Sequence, residues 1–252
     1  MKLLFTPDWF TSGDVLIEGF SFIILMFFFI FSIRNYKINK NRNSLYLGVG
    51  FFLIALAELS VILTKVVLFY DMTFTSNIGR MVVTYNVVKS VDTFYYIGLF
   101  LQKLLTLVGL YVIYKLHVNN DKSAYTGDFF LALYFLVISV LFSTALFHLF
   151  HITVLILLVL IINHYYEVYK KNKHINTKIL LVAFCMLAFS QVIFMLSNIN
   201  PWYVIAQMIQ LVSYITLLVL IIRILRAQNG TKEEQGRHNI RYAGNNPRKR
   251  KG

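Results

Sequence analysis

Residues 129–166 read FFLALYFLVISVLFSTALFHLFHITVLILLVLIINHYY, a stretch without a single Asp, Glu, Lys or Arg. As one helix this stretch would be about 57 Å long, whereas the hydrocarbon core of a bilayer is about 30 Å thick. We therefore predict that it crosses the membrane twice, with a reversal near Phe147 to His151. The number of spans in the chain depends on this prediction.

The composition of the rest of the chain is also that of a membrane protein. The sequence is 58% hydrophobic and only 14% charged, whereas a soluble domain is nearer half apolar and a quarter charged. Its other apolar runs are about 20 residues long, enough for one membrane crossing each. We predict an all-α, polytopic membrane bundle over residues 1–225, multi-pass in the cell membrane. The seven predicted spans are 14–33, 45–69, 94–114, 129–147, 151–166, 179–197 and 203–225.

The basic residues predict the orientation of the bundle. Segments 34–44, 115–128 and 167–178, together with the chain from Arg223, hold 19 of the 24 Lys and Arg residues. Cytoplasmic loops retain positive residues, and two spans between 115–128 and 167–178 put both loops on that side. We therefore expect the N-terminus outside and the C-terminus in the cytoplasm.

The tail, residues 226–252, is rich in Gly, Asn and Arg and has no apolar period, so it is predicted to be disordered. Its basic residues outnumber its acidic ones by eight to two. Such a tail attracts anionic lipid headgroups at about 1 kcal/mol per basic residue near the surface. An alternative is a solvated tail whose basic residues only set the orientation of the protein in the membrane. Nucleic acid is not expected as a partner. Neither an internal repeat nor an appended catalytic domain is expected.

Four ionisable residues fall well inside predicted spans, where each costs roughly 2.5–3.5 kcal/mol at the centre and needs a compensating partner. Glu58 and Lys103 lie at similar depth on consecutive spans, so we predict an ion pair between them. Lys65 lies seven residues after Glu58 on the same helix face, and Glu18 has a depth close to that of Lys65. A second pair, Glu18 with Lys65, is therefore also predicted, although both side chains could instead extend to the outer surface.

Three amides lie in the outer halves of the last two spans. Gln207 and Gln210 share a face of span 7, and Gln191 lies on span 6. Together with Glu18, Lys65, Glu58 and Lys103 they predict a ligand-binding cavity that opens to the outside. The alternative is that each amide only makes an interhelical hydrogen bond, worth about 0.6 kcal/mol.

The histidines do not predict a cofactor. His148 and His151 flank the predicted reversal, and two ligands are fewer than the three or four of a zinc site. His151 and His164 lie at the two ends of one predicted span, a spacing that would suit two haems only if further axial ligands faced them. Span 7 has no lysine for a retinal Schiff base, and no hydrolase or nucleotide-binding motif is present. We expect no metal, no cofactor and no enzymatic activity.

One segment carries a family resemblance. Ile33 to Leu59 reads IRNYKINKNRNSLYLGVGFFLIALAEL, a basic linker between two spans. It resembles the start of the seven-helix membrane input domains of prokaryotic sensor proteins. In those proteins the spans feed a cytoplasmic kinase or cyclase, and this chain ends soon after span 7, so the resemblance implies a separate signalling partner.

Together these observations predict a non-enzymatic integral membrane protein of receptor or sensor type. It would bind a small polar ligand from the outer side. One alternative is a small transporter or a proton or ion conductor that uses Glu58 and Lys103. Another is a non-catalytic membrane scaffold whose buried charges only fix the register of the helices.

Overall fold

The computed structural model describes residues 11–40, 42–78, 83–115, 130–131, 133–135, 137, 144–196 and 200–244. All regular secondary structure within these ranges is helical. The helices are α1 (Thr11–Asn39), α2 (Arg42–Ile78), α3 (Val83–Lys115), α4 (the helical residues 130–131, 133–135 and 137), α5 (Thr144–Asn172), α6 (Ile175–Met195) and α7 (Asn200–Gly244).

Six of these helices contain an apolar segment long enough to cross a bilayer. The segments are Gly13–Ile38, Arg42–Val67, Phe94–Lys115, His148–Asn172, Ile175–Met195 and Pro201–Leu225. Their mean hydropathy lies between 1.8 and 2.4. The chain is therefore a multi-pass α-helical membrane protein, as the composition predicts.

The surface of α1 shows the inside-out distribution that lipid imposes. Leu16, Phe20 and Phe27 form a stripe at helical spacing, and each is more than half exposed. The opposite face of the same helix buries Asp14 and Glu18. In water this distribution would expose a large apolar surface, whereas in a bilayer it turns the apolar stripe toward acyl chains and the polar groups inward.

The six long helices form a closed ring in the order α1, α2, α3, α5, α6, α7, with α7 packed against α1. Contacts at two levels fix the direction of each helix. Helix α2 meets α1 through Lys65–Asp14 and Asn35–Ser44, and it meets α3 through Gly50–Gly109 and Thr64–Gly98. Helix α6 meets α5 through His151–Gln191 and Tyr165–Phe184, and it meets α7 through Ala183–Ser213 and Phe194–Tyr203. Helix α7 meets α1 through Asp14–Tyr203 and α2 through Glu58–Tyr214. Consequently α1, α3, α5 and α7 run in one direction, and α2 and α6 run in the other. We call the end at which α1, α3, α5 and α7 begin the upper end.

The described part of α4 lies beside α3 and α5. The Phe135 ring is 6.0 Å from the ring of Tyr111 on α3, measured between centroids. The hydroxyl oxygens of Tyr134 and Thr153, on α4 and α5, are 3.0 Å apart. Phe135 is almost fully buried, so α4 adds to the core from outside the ring.

Two lower connections are very short and end in the same way. Lys40 follows α1 with φ 52°, and Lys173 follows α5 with φ 49°. In each case the lysine N–H donates to a tyrosine carbonyl four residues earlier, at 2.8 Å for Lys40 to Tyr36 and 2.7 Å for Lys173 to Tyr169. A left-handed residue in this position satisfies a carbonyl at the helix end and reverses the chain.

Tight packing occupies the lower part of the ring. A carbon atom added at Gly109 would lie 2.8 Å from the carbonyl oxygen of Gly50, so α2 and α3 touch through their backbones. Phe51, Phe184 and Leu25 belong to one apolar core, in which each is fully buried. Small residues permit such close contact between membrane helices, where dispersion forces drive association.

The structure corrects two details of the sequence prediction. The predicted reversal near Phe147 to His151 is wrong, because those residues lie within α5, which begins at Thr144. The predicted disorder of the tail from Arg226 is wrong as far as Gly244, because α7 continues to that residue. Extending a helix that is already formed avoids the cost of nucleation, and Ala, Gln, Lys and Glu in this stretch propagate it well. Residues 245–252 lie outside the described ranges.

Candidate functional site

A cavity of about 200 Å³ lies inside the ring, lined by six helices. All seven residues that the sequence analysis selects line this one cavity: Glu18, Glu58, Lys65, Lys103, Gln191, Gln207 and Gln210. Six other polar residues share the lining: Tyr95, Gln102, Thr106, His151, Tyr203 and Tyr214. Its lower end is apolar and formed by Ile54, Leu110, Leu158 and Leu187.

At the upper end of the cavity Lys65 joins two carboxylates of α1. Its Nζ lies 2.5 Å from an oxygen of Asp14 and 2.5 Å from an oxygen of Glu18. The predicted Glu18–Lys65 pair is therefore present, and Asp14 extends it into a triad. All three side chains are buried, with exposed fractions of 7% for Lys65, 0% for Asp14 and 4% for Glu18. The triad is thus an internal ion cluster, and neither Glu18 nor Lys65 extends to the surface.

Helix α7 connects to this cluster through Tyr203. The Tyr203 hydroxyl donates to Asp14 at 3.1 Å, and the Gln207 amide donates to the Tyr203 oxygen at 3.1 Å. Tyr203 is four residues before Gln207, so both side chains lie on one face of α7. This chain of hydrogen bonds fixes the position of α7 against α1 at the upper end.

Glu58 is the acceptor of a second network lower in the cavity. One of its oxygens accepts from the Gln210 amide at 3.1 Å and from the Tyr214 hydroxyl at 3.3 Å. The Gln210 amide also donates to the Tyr214 hydroxyl oxygen, at 3.1 Å. The carboxylate is 9% exposed, so these α7 donors replace much of its hydration.

The predicted Glu58–Lys103 ion pair is wrong, although both residues line the same cavity. Glu58 takes its donors from α7, and the Lys103 ammonium lies 5.8 Å from the centroid of the Phe150 ring. A cation at that distance from a ring face is attracted by its π electrons. Equal depth on neighbouring helices did not suffice for pairing, because depth does not determine the direction in which each side chain points.

His151 contributes to the site from α5, where the sequence analysis expected a turn. Its Nδ1 lies 2.7 Å from Oε1 of Gln191 on α6. The imidazole stacks on Phe194 at 5.3 Å and meets Phe150 edge-on at 5.2 Å. Gln191 is thus part of the cavity wall and a partner of His151. Among the described residues, no group of three or more His, Cys, Asp or Glu side chains is arranged to hold a metal ion.

Two polar atoms of the lining have no hydrogen-bond partner within the part of the chain that the structure describes. They are Oε2 of Glu18 and the hydroxyl oxygen of Tyr95. Both side chains are more than nine-tenths buried. Buried polar atoms in folded proteins almost always have partners, so these two atoms are exceptional within the described chain.

Sequence reasoning missed Asp14, Tyr95, Tyr203 and His151 as site residues. Asp14 carried a usable signal, because it precedes Glu18 by four residues and therefore lies on the same helix face. Tyr203 carried a similar signal in its spacing from Gln207. Tyr95 and His151 carried none, since aromatic residues are common at the ends of spans.

Comparisons with known proteins return no match: no protein-family model fits the chain, and no curated protein or solved structure is significantly similar to it. The function is therefore inferred from the cavity. Together with Asp14 behind Lys65, the lining brings three carboxylates and two amines together, a formal charge of −1 when all are ionised. Such a site can bind a small molecule through charge and hydrogen bonds at once.

Proposed function

We propose that this protein is a receptor or sensor of the cell membrane that binds a small polar ligand in the central cavity. The observation that carries the proposal is the convergence of seven separately selected polar residues on one cavity. Burying an ionisable group destabilises a membrane helix, and such groups usually mark a functional site. The signal would pass to a separate cytoplasmic partner.

The proposal includes seven spans with the N-terminus outside and the C-terminus inside. Its support is that α3 and α5 run in the same direction and that the described part of α4, which lies between them in sequence, packs beside both. The two short basic connections, at Lys40 and Lys173, lie at the lower end. Positive residues favour the cytoplasmic side, and the upper end would then face the outside.

The shape of the cavity supports a small ligand that enters from above. Its volume of about 200 Å³ suits a small molecule. Polar groups line its upper part, whereas its lower end meets the packed core around Phe51 and Phe184. The polar groups that would hold the ligand therefore lie toward the upper end, away from the lower core.

Ligand screening with two variants tests the binding proposal. A small polar molecule that raises the melting temperature of the detergent-purified protein should lose that effect when Gln207→Leu and Gln210→Leu are combined. The control is Met208→Leu, because Met208 is 45% exposed on the opposite face of the same helix. Binding that survives the double variant, or the absence of any binder in a broad set of polar metabolites, would contradict the proposal.

Reporter fusions test the topology. A reporter fused after Gly244 should score cytoplasmic, and one inserted after Ile78, at the end of α2, should score external. An external C-terminus would contradict seven spans.

A small transporter is the second candidate, because Glu58 and Lys103 line the cavity at its middle level, where carriers hold their substrates. The two candidates differ in one measurement. Proteoliposomes should accumulate the labelled ligand if the protein transports it, and should only bind it if the protein is a receptor.

A further inference from the structure

Two distant segments of the sequence share one pattern. Residues 36–44 read YKINKNRNS and residues 169–177 read YKKNKHINT. Tyr, Lys, Asn, Lys and Asn recur in identical positions, and the pattern ends in Ser or Thr. We call the separation in sequence between its first residues, Tyr36 and Tyr169, the repeat offset. The spans on either side of these two segments are so uniformly apolar that the repeat is hard to see in their sequences.

The helices on either side of the shared pattern repeat with the same offset. Helix α1 covers Thr11–Asn39 and α5 covers Thr144–Asn172, so both have 29 residues, and their first and last residues are each related by the repeat offset. The next helices begin at Arg42 and Ile175, which the same offset relates. The left-handed lysines of the two connections also correspond. The two helical hairpins therefore correspond in their first helix, in their connection and in the start of their second helix.

The third helix of each set packs against its hairpin in an equivalent way. A carbon atom added at Gly109 of α3 would lie beside the carbonyl oxygen of Gly50 on α2. On α7 the hydroxyl of Ser213 donates to the carbonyl oxygen of Ala183 on α6, at 2.7 Å. Gly50 and Ala183 are themselves related by the repeat offset. Helices α3 and α7 are thus equivalent, with Gly109 and Ser213 as corresponding residues.

The arrangement of the ring is that of two three-helix sets, α1–α3 and α5–α7, related by an approximate two-fold axis. Helix α3 contacts α5, and α7 contacts α1, which is the same junction made twice. Phe51 and Phe184, which the repeat offset also relates, face each other with ring centroids 6.1 Å apart and planes within 10° of parallel. Equivalent residues meet only near an axis that relates them, so the approximate axis passes between these rings.

The cavity positions correspond across this axis, but their chemistry does not. Glu18 corresponds to His151, Glu58 to Gln191 and Lys103 to Gln207, and all six line the cavity. In each pair the first member is a carboxylic acid or an amine, and the second is an imidazole or an amide. The carboxylates and amines of the cavity are therefore confined to the first set of helices.

We propose that the chain consists of two equivalent three-helix units, α1–α3 and α5–α7, and that the cavity between them binds a small molecule bearing a primary ammonium group. The ammonium lies against the first unit, and the uncharged part of the molecule lies against the amides of the second. This proposal rests on the proposed ligand-binding function.

The first unit selects an ammonium group for two reasons. Its charged groups, with Asp14 included, sum to −1 when ionised, and an uncompensated charge in a low-dielectric site favours a bound cation. One buried carboxylate oxygen, Oε2 of Glu18, has no partner in the described chain, and an ionised carboxylate can only accept hydrogen bonds.

Four matched probes test the ligand class in the full-length protein in detergent: butylamine, 4-aminobutyrate, butyrate and butyramide. Calorimetric titration should show binding of butylamine or 4-aminobutyrate and no binding of butyrate. Glu18→Gln and Glu58→Gln should each weaken ammonium binding at least about tenfold, because they remove a negative charge and keep the shape. Glu167→Gln is the control, since Glu167 is an exposed carboxylate of α5 outside the cavity.

The variants also distinguish two sources of the ammonium group. Lys103→Gln should weaken 4-aminobutyrate alone if the natural ligand is an amino acid whose carboxylate faces Lys103. In either case it should not weaken butylamine binding, because it removes a positive charge from the same cavity. Equal binding of both probes to the unaltered protein assigns the site to simple amines.

Moving the carboxylate across the axis tests the equivalence of the two units. Adding Gln191→Glu to the Glu58→Gln protein should restore part of the ammonium binding, because both positions face the same cavity. Failure of this rescue in a protein with an unchanged melting temperature would overturn the equivalence. Binding of butyramide but of neither amine would overturn the ammonium proposal and leave the proposed function standing. Binding of none of the four probes at millimolar concentration would also overturn it.

Discussion

In the first three-helix unit the cavity side of the helices bears Glu18, Glu58, Lys65 and Lys103, whereas the second unit places an imidazole and amides at the corresponding described positions. The backbones of the two hairpins nevertheless share the length of their first helix, the same left-handed lysine and the same bond to a tyrosine carbonyl. The comparison separates two demands on the sequence. Packing keeps the two units alike, and the chemistry of the cavity makes them different.

The largest expected difference between the units concerns Lys65. Lys65→Met would leave Asp14 and Glu18 buried without their cation, and breaking a buried ion pair on one side costs about 3–5 kcal/mol. Among the described residues of the second unit, His151 makes a neutral hydrogen bond to Gln191 at the comparable level, so His151→Leu should cost about 1–3 kcal/mol. Unfolding in detergent, followed by circular dichroism, measures both losses.

The triple variant Asp14→Asn, Glu18→Gln, Lys65→Met is the control for that comparison. It removes all three charges together and should recover most of the stability that Lys65→Met loses. Equal losses for Lys65→Met and His151→Leu would mean that the ion cluster does not distinguish the units energetically.

A smaller difference is expected where α3 and α7 touch their hairpins. Gly109→Ala places a methyl group 2.8 Å from the carbonyl oxygen of Gly50, and backbone atoms yield little, so we expect a loss of about 1–3 kcal/mol. Ser213→Ala removes one interhelical hydrogen bond, worth about 0.6 kcal/mol in a membrane protein. Melting temperatures measured side by side should rank the two variants in that order, and the reverse order would argue against the close contact.

Glu58→Gln should change the stability of the ligand-free protein by less than about 1 kcal/mol. The sequence analysis pairs Glu58 with Lys103 and implies a large loss, but the structure gives Glu58 two neutral donors on α7. The amide oxygen of glutamine can accept both bonds, so only their charge-assisted part is lost. A loss of several kcal/mol in the same unfolding assay would restore Lys103 as the partner of Glu58.

The smallest effect should be the same in both units. Lys40→Gly and Lys173→Gly each place glycine at a left-handed position, where an L side chain is disfavoured by roughly 1 kcal/mol. We expect each variant to raise the melting temperature slightly and by a similar amount. Opposite signs for the two variants would break the equivalence of the hairpins, and unchanged topology in reporter fusions serves as the control.

Parts of the fold and of the site could be predicted from residues alone. The Glu18–Lys65 pair was predictable because matching depth and a shortage of water leave few partners inside a membrane. The direction in which the Glu58 side chain points could not be predicted, because its partners Gln210 and Tyr214 lie on a helix far later in the chain. The repeat of the two hairpins was also hidden, since spans in lipid accept almost any apolar residue and so retain little sequence identity.

The sequence by itself determined the class of this protein, because long apolar runs that exclude charge are stable only in a bilayer. It also determined which few polar residues had to lie inside, since each carries a cost that needs a partner. Only the tertiary structure decided which partners they meet and that Thr144 begins a single helix through the predicted reversal. It also decided that two similar three-helix units enclose one cavity. These features depend on the rotation of each helix about its axis, and that rotation is set by packing with distant segments rather than by local hydrophobicity.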